Sequence, residues 1–93
     1  TAQLGMKNTS DVYQQGWSNI SLVAQDGMWN DANVYQLGFG NGAATAQLGL
    51  GNTSFINQDG TANLAATAQS GEFHLSTVNQ LGVGNVSFVL QTN

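Results

Sequence analysis

The side chains best placed to act in concert are amides. Gln3, Gln14, Gln25, Gln36, Gln47, Gln58, Gln69, Gln80 and Gln91 follow one another at intervals of 11 residues without a slip. Asn8, Asn19, Asn30, Asn41, Asn52, Asn63 and Asn85 stand five places after a Gln, and His74 is the one exception. A carboxamide carries both donors and an acceptor. Stacked amides can therefore bond to identical groups above and below, as in the ladders of cross-β structures. Each such bond contributes about 0.5–1.5 kcal/mol net.

Other chemistry finds little footing. His74 is the only His, and its plain reading is an imidazole replacing an Asn at a turn. Glu72, two residues away, offers it at most a weak pH-sensitive pair. No Ser or Thr has a base beside it by motif. Asp26 and Asp59 fall on opposite sides of the repeat, so they do not form an acid/base pair. Sporadic Asp does not match a calcium-binding nonapeptide, and outward Thr9, Thr53 and Thr77 do not form an ice-binding array. The expectation is a protein that is not an enzyme, with no catalytic, cofactor or metal site.

The elements that position these amides follow from the repeat. Gly5, Gly16, Gly27, Gly38, Gly49, Gly60, Gly71 and Gly82 each stand two places after a Gln. The unit is Q-x-G-x-x-N followed by five residues. An 11-residue period also suits a right-handed helical coiled coil, but a helix-interior Gly costs about 1 kcal/mol relative to Ala. From Asn to Gln the pattern alternates with period two, which signals a strand. Two places after Asn the residue is always Ser or Ala, as in Ser10, Ala32, Ser54 and Ala65. Four places after, it is always β-branched, as in Val12, Val34, Thr45 and Ile56. This uniform face is placed inside. The four residues after Gln, such as Leu37-Gly38-Phe39-Gly40, are read as the turn.

A second period overlies the first. Ala2, Ala24, Ala46, Ala68 and Leu90 precede alternate Gln residues, while Tyr13, Tyr35, Asn57 and Asn79 precede the others. One rung is therefore 22 residues, strand-turn-strand-turn. The predicted fold is an all-β, cross-β solenoid with two parallel in-register sheets. The whole chain, 1–93, reads as one domain of half-repeats starting at Gln3, Gln14, Gln25, Gln36, Gln47, Gln58, Gln69 and Gln80. One sheet takes strands near 8–14, 30–36, 52–58 and 74–80. The other takes 19–25, 41–47, 63–69 and 85–91, with 1–3 as the stub of a further strand. Four rungs predict a stack about 19 Å tall. The first sheet shows a mixed, mostly polar outer face. The second shows Ile20, Leu22, Ala44, Ala46, Leu64, Ala66, Phe88 and Leu90, an apolar patch of the kind that marks a contact surface. Lateral packing against another solenoid is expected there. Trp17, Trp29, Phe39 and Phe73 fall in the turns. Filling the solenoid corner is the plainer reading, and stacking on sugars the other.

Composition narrows the partners. Charged residues are 6% of the 93, and Lys7 is the single cation against Asp11, Asp26, Asp31, Asp59 and Glu72. One Lys cannot neutralise a run of phosphates, so nucleic acid is not expected. No apolar stretch reaches the roughly 20 residues that span a bilayer, so membrane insertion is not expected. No secretory signal is visible, and any such segment is expected to have been removed. The absence of Cys decides nothing about redox compartment. The pattern runs from Gln3 to Gln91 with no room read for a capping segment. Edges of that kind template a further copy of the same chain, and the expected partner is the chain itself.

The unit resembles the curlin repeat of bacterial curli. Gln36-Leu37-Gly38-Phe39-Gly40-Asn41-Gly42-Ala43 matches that motif closely, and the resemblance covers essentially the whole chain. It implies a structural subunit of an extracellular functional amyloid fibre in biofilm matrix and adhesion. It also implies passage through the periplasm, an outer-membrane secretion pore, a nucleating minor subunit as partner, and stacking roles for the Gln and Asn residues. The alternatives are a nucleator-type minor subunit and a non-polymerising adhesive or carbohydrate-binding solenoid. Nucleators of that class tend to carry more cations near their end than this chain does.

Overall fold

A computed structural model describes residues 2–92. The alternating half-units become nine strands: β1 (Ala2–Met6), β2 (Thr9–Trp17), β3 (Ile20–Met28), β4 (Asp31–Phe39), β5 (Gly42–Leu50), β6 (Thr53–Thr61), β7 (Leu64–Glu72), β8 (Leu75–Val83) and β9 (Val86–Thr92). Odd strands form one sheet in the order β1-β3-β5-β7-β9, and even strands form a second in the order β2-β4-β6-β8. All pairings are parallel, and each residue lies over the one 22 positions away: Gln14 over Gln36, Val34 over Ile56, Gln47 over Gln69. The fold is the β-solenoid of 22-residue rungs that the double period predicts. The principal extents are 34 × 21 × 12 Å. The middle value accords with the expected stack height. The smallest accords with two sheets about 10 Å apart.

The uniform face points inward. Val23, Ala32, Val34, Ala43, Ile56, Ala65 and Val78 form the apolar core, and Thr45, Ser54, Thr67 and Ser76 are buried among them. The interior is a narrow sandwich of small and β-branched side chains, because only such residues fit between sheets this close.

The corners differ from the sequence reading. Strands do not stop at Gln. The full-length strands run nine residues, and the four residues read as a turn are mostly strand: β4 continues through Leu37 and Gly38 to Phe39, leaving Gly40 and Asn41 as the connection. Gly38 bends the chain with φ 113 yet stays paired with Gly60 in the next rung. The solenoid thus turns within its ladder instead of interrupting it. Two positive-φ positions make each corner. The first, two places after Gln, is always Gly. There a Cβ on Gly38 would overlap the carbonyl oxygen of Gly60. The second, four places after Gln, is left-handed with φ near 60 and takes Lys7, Ser18, Trp29, Gly40, Gly51, Ala62, Phe73 and Gly84. A left-handed conformation costs a non-Gly residue about 1–2 kcal/mol, a cost the stack tolerates.

These two positions separate by experiment. Gly40→Ala, with nothing within 4 Å of its added Cβ, should lower stability by about 1 kcal/mol. Gly38→Ala should cost more than about 3 kcal/mol, because backbone strain and backbone collision add. Urea unfolding of the two variants checks the order, and equal losses would contradict the corner geometry.

Candidate functional site: the polar ladders and the faces around them

Gln lies on the inward face at the point where the two sheets close on each other. Gln25, Gln36, Gln47, Gln58, Gln69 and Gln80 are buried. A buried amide must spend all its hydrogens, since each unpaired group costs about 1–3 kcal/mol. Gln47 shows how. Its Nε2 donates to Oε1 of Gln69 at 2.8 Å and to the carbonyl of Asp31 in the opposite sheet at 3.0 Å, while its Oε1 accepts from Gln25 at 2.8 Å. The same triad recurs at Gln36 and Gln58. The ladder continues through Gln3 and Gln14 at one end and Gln91 at the other. Each Gln therefore bonds to its like along the stack and also ties the sheets together. The link to the opposite sheet carries no signal in the repeat, because its acceptor is a backbone carbonyl 16 residues earlier.

Asn behaves differently from the expected amide-to-amide ladder. Asn52 Oδ1 accepts from the backbone N–H of His74 at 3.1 Å, and its Nδ2 donates to the carbonyls of Leu48 at 3.0 Å and Gly71 at 3.3 Å. Asn30, Asn41 and Asn63 do the same. Asn8, Asn19 and Asn85 each bond the carbonyl four residues back. Asn is one methylene shorter than Gln, so its amide stays near the backbone, where the bent corner gathers carbonyls. It braces the corner that Gly makes, which explains why the two recur together in the unit. His74 keeps part of this role. Its N–H donates to Asn52, and its Nε2 lies 3.2 Å from the carbonyl of Ser70. The link up to His74 is intact; only the side-chain acceptor for a further rung is missing.

The ladder has a direction. Every Gln Nε2 donates toward the rung with higher residue numbers. Among the described residues, the rung of Gln3 and Gln14 ends in free Oε1 acceptors. The rung of Gln80 and Gln91 ends in Nε2 groups whose described bonds go only to the carbonyls of Leu64 and Leu75. The two end faces are complementary.

The outer faces differ as read. On the odd-strand sheet Ile20, Leu22, Leu64, Val86, Phe88 and Leu90 are exposed, and the smaller Ala44, Ala46 and Ala66 lie between them. On the even-strand sheet Tyr13 stacks on Tyr35 with centroids 4.7 Å apart and planes at 12°. The corner aromatics do not fill the corners: Trp17, Trp29, Phe39 and Phe73 are all more than half exposed. Their side chains point out because Asn occupies the inside of the bend. Trp17 and Phe39 lie against each other at 6.5 Å, and Lys7 sits 5.8 Å from the Trp29 ring. Among the described residues no group of three or more His, Cys, Asp or Glu could hold a metal ion. Asp26 and Asp59 lie in β3 and β6, on opposite sheets.

Residues 27–60 match the family model of the curlin associated repeat. The chain carries the curlin repeat. The matched segment holds Gln36, Gln47 and Gln58, the amides whose bonds are complete on both sides. The same curlin-type bonding runs beyond it through Gln25 and Gln69. Comparison with curated proteins finds no match.

Not every inward polar group is satisfied. The hydroxyls of Ser54 and Thr45 are buried without a partner. Ser54→Ala and Thr45→Val should therefore leave the fold unchanged or stabilise it by about 1 kcal/mol each. Gln47→Leu should instead cost about 3 kcal/mol or more, since it strands Gln25 Nε2 and the Asp31 carbonyl together. Chemical denaturation of the three variants gives the comparison, and a destabilised Ser54→Ala would show a hydrogen bond not described above.

Proposed function

We propose that this curlin-repeat chain is the structural subunit of an extracellular functional amyloid fibre, growing by head-to-tail addition of copies of itself, with residues 1–93 acting as one stacking unit. The observation that carries the reading is the direction of the Gln ladders. A face of acceptors at Gln3 and Gln14 meets a face of donors at Gln80 and Gln91 in only one polarity. Stacking a second copy extends both ladders and both sheets at once, and it removes unpaired strand edges. The association is heterologous and does not close, which generates a filament. Secretion through the periplasm, a nucleating subunit, and a place in biofilm matrix and adhesion accompany this reading by resemblance to curli. The exposed Trp17, Trp29, Phe39 and Phe73 supply such a fibre with contact groups along its corners.

Lateral contact belongs to the same proposal, with a second copy of this chain as the occupant. The odd-strand face carries ridges at Ile20 and Leu22 and at Phe88 and Leu90, with a hollow of Ala44, Ala46 and Ala66 between. That relief fits another copy of itself. One face offers on the order of 400 Å² by strand spacing and rise, about half of what a stable interface contributes per partner. Two aligned fibres repeat the contact at every subunit and gain by multivalency. Fibres should pair along this face while free chains do not.

Two measurements test the proposal. Gln3→Leu with Gln14→Leu should block one end, and Gln80→Leu with Gln91→Leu the other. Neither variant should form fibres alone, and an equimolar mixture should stop at dimers in analytical ultracentrifugation. Fibres from either variant alone would defeat the ladder mechanism. Separately, Ala44→Lys with Ala66→Lys should leave fibre growth intact and yield single, unbundled fibres by electron microscopy; unchanged bundling would exclude this face.

A further inference from the structure

The even-strand sheet carries a feature that stacking does not use. Between two outward columns runs a straight groove of about 370 Å³, parallel to the stack. Tyr13 and Tyr35 form one wall, Asp11, Asn33 and Phe55 the other, and the strand backbone at Val12 and Val34 the floor. All three rings are at least 40% exposed. We infer that this groove is a binding site for an elongated planar aromatic cation.

Three properties select that ligand. The first is width. Outward residues two apart on a strand are separated by about 6.7 Å. A flat ring system standing edge-on in the slot keeps about 3.4 Å to each wall, close to van der Waals contact. A sugar chair, with substituents on both faces, is too thick for it. The second is wall chemistry. Tyr13 and Tyr35 spend their ring faces on each other, so they turn ring edges toward the slot. Ring edges are electropositive and favour the π-face of an aromatic guest. Three rungs give a wall roughly 10 Å long, the length of a fused tricycle. The third is charge. Asp11 lines the groove, the chain carries a net charge of -4, and its one cation, Lys7, stands by Trp29 instead. A parallel groove on the odd-strand sheet, lined by Ala2, Leu4, Ala24, Asp26, Ala46 and Leu48, is smaller, about 170 Å³, and has no rings. It serves as an internal comparison of equal geometry and poorer walls.

The groove lies within one chain, so the inference does not depend on fibre growth and is tested on the folded chain, assembled or not. Proflavine, a planar tricyclic cation, should bind saturably at one site per chain when titrated by fluorescence anisotropy. Tyr13→Ser with Tyr35→Ser should weaken it at least tenfold. Asp11→Asn should weaken it about three- to fivefold and flatten its salt dependence. Asn57→Tyr, which extends the Tyr wall by one rung, should tighten it about threefold. An anionic acridine carboxylate should bind far more weakly. Unchanged affinity in the double Tyr variant, no gain with Asn57→Tyr, or several equivalent sites per chain would overturn the assignment. Absence of fibres with the site intact would count against the proposed function alone.

Discussion

A carboxamide buried in a slot between two sheets has few ways to be satisfied. Water does not reach it, and the neighbouring core side chains are Val, Ile, Ala, Thr and Ser. The partner available at every level is another amide at the same place in the next rung. That requirement demands strict register. A slip of one residue would turn the Gln outward and bring variable residues in. A slip of two would move the amide off its ladder. Register along the stack is thus set by bonds such as Gln25–Gln47–Gln69 and not by the loops. The 11-residue spacing persists without insertion because one extra residue would break every ladder beyond it.

The corners obey the same constraint. An ordinary loop would leave the ladder for several residues and let rungs drift. Here Gly38 bends the strand while still stacked on Gly60, and Asn41 holds the bend through the carbonyls of Leu37 and Gly60. Bend and brace each need the other, since the bend brings the carbonyls together and the amide occupies them. The left-handed position that follows is free of side-chain contact on its outer side. This is why Trp29, Phe73 and Lys7 are accepted there, and why the corners vary while the interior does not.

A molecule built this way has two kinds of surface. Its ends are polar, directional and complementary. Its sides are free to differ, because outward residues take no part in the ladders. The odd-strand face is apolar and the even-strand face carries the Tyr column and its groove. Growth along the axis and contact across it are therefore physically separable, and a side can change its chemistry without disturbing the stack.

Much of this was legible in the repeat itself. The 11-residue spacing, the Ala/Tyr alternation before Gln and the period-two face from Asn to Gln determined the rung, the two sheets and which side chains face inward, since each is a statement about periodicity. The corner was less legible. A Gly looks the same in a turn and in a bent strand, so Leu37 to Phe39 read as a loop. The mixed set at the second left-handed position, with Gly40, Gly51 and Gly84 among its members, was the available signal. What only the tertiary structure decided were the contacts to backbone: Gln47 reaching the Asp31 carbonyl, Asn52 receiving the N–H of His74, and the exposure of Trp17 and Phe73. Backbone acceptors have no residue type, so no pattern of letters can announce them. Their positions follow only once the chain has closed its rung and laid one corner on the next.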